Sequence, residues 1–280
     1  MEVVSEGLSK PEPRRGGPLV IAHRGASDEE PEHTLAAYRR AFAHGADGVE
    51  CDVRLTAVHH LVCVHDRRIE RTSNGRGVVS ALELALLEEL DWASWRTAHR
   101  PGDTELPEAD PERGHLLTLR RLLDTLVDTG QEVVTLIETK HPTRHGSDVE
   151  KALVHVLRAF DLAGGDVPGR PHVRMMSFSH TALQRAHRLA PKLPLVYLVD
   201  ATRPRMTWDG ILPAGIGAVG LDVRMLRNPR AVRAFQRRGH QVYVWTVDTD
   251  DDITRCLDLG VDVIITNRPA HVLDRIAASG

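Results

Sequence analysis

The sequence is poor in aromatic residues, in lysine and in cysteine, and it has no long apolar run. Phenylalanine, tryptophan and tyrosine together make up 4% of its 280 residues, too few for a base-stacking nucleic-acid platform. Its 36 basic and 39 acidic residues nearly cancel, to a net charge of −3. No electrostatic footprint for DNA or an anionic membrane is left. No stretch reaches the roughly 18–20 apolar residues of a membrane-spanning helix, so no stable membrane insertion is expected. Cys51, Cys63 and Cys256 are widely spaced with no CxxC pair, which excludes a disulfide framework and a zinc site. Residues 1–17 (MEVVSEGLSKPEPRRGG) lack the apolar core of a secretory signal. They are expected to form a polar tail, with the cytoplasm as the default location. Only Lys10, Lys140, Lys151 and Lys192 are lysines; every other basic residue is arginine. A lysine beside strand-end acids therefore stands out.

Against these absences, 41% of the residues are hydrophobic, enough for a sizeable core. From residue 18 onward, short β-branched runs alternate with helical stretches. The runs cover 18–23, 47–53, 61–66, 132–138, 173–178, 194–199, 217–222, 241–247 and 262–266. Helical periodicity appears in 33–45, where Leu35, Tyr38 and Phe42 share a face, and in 115–129, 148–162, 180–190, 229–239, 250–259 and 269–277. Gly45, Gly130, Gly239 and Gly260 sit where helix C-caps belong. Repeated βα units with continuously apolar strands predict a parallel sheet closed into a (β/α)₈ barrel, a single domain over 18–280. Nine runs compete for eight places, and the link over 54–60 is too short for a helical crossover. Either one run is not a barrel strand, or the second βα unit is imperfect and lacks its helix. The stretch 67–114 reads as an insertion after the third strand, lying at the barrel mouth.

The C-terminal ends of barrel strands converge on one site, and here those ends are polar. The first run ends in His23 and Arg24; the second carries Glu50 and Asp52 on one side, with Cys51 on the other. The third ends in His65 and Asp66, the fourth in Glu138, Thr139 and Lys140. Three carboxylates facing one interior repel unless a cation lies between them. Oxygen ligands without cysteine suit Mg²⁺ or Ca²⁺, with Mn²⁺ a third candidate. Two histidines beside a metal can act as general acid and base. Arg24 and Lys140 can hold a phosphate, and the set describes metal-assisted phosphoester hydrolysis. Trp245 either lines the pocket or fills the barrel.

HRG at 23–25, PEHT at 31–34, GADGVECDVRLT at 45–56, VHD at 64–66 and ETK at 138–140 carry a resemblance. SF at 177–178, VWTV at 244–247 and GVDVIITNRP at 260–269 extend it. The ordered set resembles the glycerophosphodiester phosphodiesterase family over about residues 19–270. The resemblance implies a TIM barrel with an insertion after the third strand. It implies one divalent cation on Glu50, Asp52 and Glu138, acid–base histidines at His23 and His65, and Arg24 and Lys140 near the phosphate. The expected reaction cleaves a small-molecule glycerophosphodiester to sn-glycerol 3-phosphate and an alcohol. Water or the substrate's own glycerol hydroxyl can serve as nucleophile. His33 and Asn267 stand where the family usually has asparagine and aspartate, and neither is expected to touch the metal or catalytic positions. Three alternatives stand beside this reading: a lysophospholipase D on the same barrel, a metal-dependent lyase or aldolase, and a catalytically silent phosphodiester-binding barrel.

Overall fold

The computed structural model describes residues 17–97, 114–202 and 209–279. Eight parallel strands close on themselves: β1 (Leu19–His23), β2 (Gly48–Leu55), β4 (Val134–Thr139), β5 (His172–Ser177), β6 (Leu195–Val199), β7 (Ala218–Asp222), β8 (Gln241–Trp245) and β9 (Val263–Thr266). Their order is β1-β9-β8-β7-β6-β5-β4-β2, and β1–β2 pairing completes the barrel. The ninth run, β3 (Leu61–Cys63), is antiparallel to β2, through Val53–Cys63, Arg54–Val62 and Leu55–Leu61. The short link settles its place: Thr56 N–H donates to the His60 carbonyl at 2.9 Å, a tight reversal with no room for a crossover helix. The run at 61–66 is therefore not a barrel strand, and His65 arrives from a hairpin.

The second unit does have its helix, delayed by the hairpin and the insertion. The insertion contributes a 3₁₀ turn (Val79–Ala81) and two short helices, α2 (Leu84–Glu88) and α3 (Ser94–Thr97), before α4 (Leu119–Asp128) returns the chain to β4. The remaining helices are α1 (Leu35–Ala43), α5 (Asp148–Ala159), α6 (His180–Leu189), α7 (Pro229–Arg237), α8 (Asp250–Leu259) and α9 (Pro269–Ser279). No helix appears between β6 and β7 among the described residues. Starts are capped by side chains, as where Thr34 accepts from Ala37 N–H and Asn228 precedes Pro229. At the end of α8, Gly260 takes φ +60°, a conformation that other residues adopt at a cost. Of the stretches expected at 1–17 and 67–114, residues 1–16 and 98–113 lie outside the described residues.

Strand parity separates two apolar layers. Leu19, Ile21, Leu136, Met176, Leu198, Tyr243 and Ile265 fill the barrel, while Val49, Cys51, Val53, Ile137 and Met175 face the helices. Two residues further along the interior series come His23, Glu138, Asp200, Trp245 and Asn267. The polar site continues the interior layer, so side chains that would otherwise fill the barrel meet above it. A separate apolar cluster of Val62, Val64, Ile69, Val79, Leu87 and Trp92 anchors the insertion. No helix among the described residues is long and apolar enough to cross a membrane.

Candidate active site

A cleft of about 250 Å³ opens at the C-terminal end of the barrel, lined by His23, Arg24, Glu50, His65, Glu138, Lys140, Phe178 and Trp245 among others. Asp52 lies beneath it at 1% exposure. Glu50, Asp52 and Glu138 each bring one oxygen within 4.8 Å of the others. Lys140 Nζ is 2.8 Å from Asp52 Oδ1 and 2.7 Å from Glu138 Oε1. Arg24 Nε lies 3.0 Å from Asp52 Oδ2. Trp245 lines the cleft, edge-on to Phe178 at 5.5 Å, and its Nε1–H donates to the Gly220 carbonyl at 3.1 Å. All eight sequence-predicted site residues thus meet at or directly below one cleft.

Positive charge is unevenly shared among the three acids. Asp52 faces both Lys140 and Arg24, and although burial opposes it, these charges and a hydrogen bond from His33 hold its carboxyl well below the usual range. Glu50 has no such partner: its Oε2 accepts from the Arg24 backbone N–H at 3.1 Å, and His23 Nε2 is 4.0 Å away. Burial and the Asp52 charge push the Glu50 carboxyl well above the usual range. Burial likewise pushes Glu138 up to about 7, against the pull of Lys140. Three buried carboxylates with two cations are one positive charge short. A hard cation on these oxygens supplies that charge, so the donor set fits a divalent metal.

The histidines are set by different partners. His23 Nδ1 is 2.7 Å from Asn267 Oδ1, and the Asn267 amide donates through Nδ2 to Asp248 Oδ2 at 2.7 Å. A carboxylate only accepts, so the amide oxygen must face His23. His23 therefore carries its proton on Nδ1 and presents a bare Nε2 towards Glu50. Burial, reinforced by Arg24, lowers its pKa to about 3, and the ring is neutral near pH 7. His65 Nδ1 is 2.7 Å from Asp66 Oδ1, a partner that stabilises an imidazolium. Burial still brings its pKa to about 4. Arg54 fixes the backbone of His65, donating through Nε and Nη2 to its carbonyl at 2.9 and 2.7 Å.

Two expectations are corrected here. His33, buried and at φ +60°, touches the acidic cluster directly: Nε2 is 3.0 Å from Asp52 Oδ2 and Nδ1 is 2.9 Å from Tyr38 Oη. Asn267 touches His23. Their neighbours come from other strands, which chain spacing does not reveal. Glu32 also reaches the site from its loop: it joins Arg24 Nη1 at 3.0 Å to Arg71 Nη1 at 2.7 Å, and Arg71 Nε reaches Asp66 at 2.5 Å. The charge pairs run unbroken from Arg24 to the partner of His65. The PEHT motif was the one available signal, because it put Glu32 and His33 in a loop beside the first strand end.

A closed (β/α)₈ barrel with a polar, charge-poised cleft at its C-terminal mouth is the architecture of an enzyme. A model of the glycerophosphoryl diester phosphodiesterase family matches residues 23–271, and the chain belongs to that family. It is 44% identical over 261 residues, 91% of each chain, to a protein of Mycobacterium tuberculosis named probable glycerophosphodiester phosphodiesterase 1. It is 34% identical to the glycerophosphodiester phosphodiesterase of Bacillus subtilis over 90% of this chain and 84% of that one. An Oleispira antarctica phosphodiesterase, solved in complex with the product sn-glycerol-3-phosphate, superposes with a TM-score of 0.79 at 24% identity, over 93% of this chain and 97% of that one. A Silicibacter pomeroyi protein named putative glycerophosphoryl diester phosphodiesterase gives 0.81 at 23% identity, over 95% of both chains. Both structural likenesses concern the fold.

Proposed function

We propose that this protein hydrolyses glycerophosphodiesters to sn-glycerol 3-phosphate and an alcohol, and that residues 18–280 form its single catalytic domain. The observation that carries the reading is the meeting of His23, Arg24, Glu50, His65, Glu138 and Lys140 around one cleft in a chain of this family. Glu50, Asp52 and Glu138 would hold one divalent cation, Mg²⁺, Ca²⁺ or Mn²⁺. When bound, such a cation supplies Lewis-acid polarisation of phosphoryl oxygens. Arg24 and Lys140 bind the scissile phosphate, and their charges oppose the negative charge that builds there in the transition state. Trp245 and Phe178 give the organic part of the substrate an apolar wall.

His23, with its proton held on Nδ1 by Asn267, takes a proton from the nucleophile at Nε2. His65 is left to deliver a proton to the departing alkoxide; Asp66 favours its charged form, against the burial that lowers its pKa to about 4. Two acid–base histidines also favour phosphoryl transfer over a silent binding barrel, which has no use for them. The test is release of glycerol 3-phosphate from glycerophosphocholine and glycerophosphoethanolamine, after chelation and again with each metal restored. Release that returns only with metal supports the reading. His23→Ala and His65→Ala should each lower kcat by at least ~10²; near-normal turnover in both sinks the acid–base assignment.

A further inference from the structure

A second cavity, of about 330 Å³, adjoins the catalytic cleft and shares Lys140 with it. Its polar wall comprises Arg54, Arg67, Ser80, Lys140, Thr143 and Arg144, with no acidic side chain in the lining. Three loops build it: the β2–β3 hairpin, the start of the insertion, and the β4–α5 connection. Arg67 and Arg144 are exposed, and Arg54 is half-buried. Among the described residues, none of the three lies within ion-pair distance of a carboxylate. This contrasts with the cleft beside it, where both cations are bound by acids. Arg54 spends Nε and Nη2 on the His65 carbonyl, leaving Nη1 without a hydrogen-bond partner among the described residues.

Cations converging on a concave wall concentrate positive potential there. Guanidinium groups with two hydroxyls beside them are donors only or donors by choice, a composition that recognises a phosphate or carboxylate. We propose that this cavity is an anion subsite for a second negatively charged group on the alcohol half of the substrate, so that phosphorylated or carboxylated alcohols are preferred. The inference rests on the phosphodiesterase reading above. With the scissile phosphate at Arg24 and Lys140, the second anion sits among Arg54, Arg67 and Arg144. Arg54 then touches the second anion on one side and the backbone of His65 on the other. Alcohols that are cationic, such as choline, gain nothing from this wall.

Glycerophosphoinositol and glycerophosphoinositol 4-phosphate form the test pair, since they differ by one phosphomonoester. In the wild type, kcat/KM should favour the phosphorylated compound by about tenfold or more. In R67A/R144A the ratio should fall to within about twofold of one. R230A/R237A removes the same charge from exposed positions on α7, across the barrel, and should keep the wild-type ratio. Equal or reversed preference in the wild type overturns the subsite, as does a preference that survives in R67A/R144A or is lost in R230A/R237A. Tighter binding of the phosphorylated compound with no gain in kcat/KM also overturns it, because the added anion is then held apart from productive substrate binding. Release of glycerol 3-phosphate from neither compound, nor from glycerophosphocholine or glycerophosphoethanolamine, defeats the phosphodiesterase reading instead. Calorimetric binding of both compounds to the same full-length protein then decides the subsite: a preference lost in R67A/R144A supports it, and equal affinity defeats it.

Discussion

Asn267 shows how one side chain outside the acidic cluster sets the state of a site residue. Its amide is oriented by Asp248, which accepts from both Asn267 Nδ2 and the Asn267 backbone N–H. That orientation leaves only an acceptor for His23 Nδ1. Asn267→Ala should lower kcat by roughly 10–100-fold with little change in KM, and should do nothing further in the His23→Ala background. An equal drop in that background would mean a loss of packing rather than of tautomer control. His33 plays the corresponding part for Asp52. His33→Ala should weaken divalent-cation binding by roughly 10–100-fold, measured calorimetrically. Unchanged affinity would show that Arg24 and Lys140 orient Asp52 unaided.

At the scale of elements, the loops above the barrel are tied by charge and the helices by caps. Glu32, in the connection from β1 to α1, holds Arg24 of its own loop and Arg71 of the insertion. Burial alone would raise its carboxyl, but the Arg71 hydrogen bond and the Arg24 charge bring it down to about 2 from an ordinary 4.5. A carboxyl held low in the folded state stabilises it fully above about pH 4.5, and that contribution disappears as pH falls towards 2. Glu32→Gln should therefore be less stable than the wild type at pH 7, with the gap closing at pH 2–3. A constant gap in denaturant unfolding would rule out the ionised pair as its source. Thr34 caps α1 immediately beside His33; replacing it with alanine should cost about 1 kcal/mol of folding stability.

For the whole molecule, the acidic cluster trades stability for function. Glu50 is buried with its charge uncompensated, so the cation-free protein carries a cost that a neutral isostere removes. Glu50→Gln should melt at a higher temperature than the wild type after chelation, yet lack the rise in Tm expected of the wild type on adding divalent cations. It should also lose activity. A chelated variant less stable than the chelated wild type would mean that the carboxylate is satisfied without a cation. The barrel bears such a cost because an apolar interior below the site and two apolar clusters between the strands and the helices support it.

Much of this was determined by the sequence alone. Alternating runs and periodic stretches define the βα order, and i, i+2 parity puts Glu50 with Asp52 on one side and Cys51 on the other. The motif order identifies the family and singles out His23, His65, Glu138 and Lys140 as site candidates. These features are local, carried by spacing along the chain. The tertiary structure decided what depends on contacts between distant segments. The run at 61–66 carries the apolar pattern of a barrel strand, and only its pairing with β2 shows it to be the return arm of a hairpin. His33 meets Asp52, and Asn267 meets His23, across 19 and 244 residues of chain. Lys140 lies between two acids, and Arg54 behind His65, because barrel closure brings separate strand ends and the hairpin to one mouth. Residue spacing specifies which face a side chain takes, while the field it experiences is set by neighbours that only the closed barrel supplies.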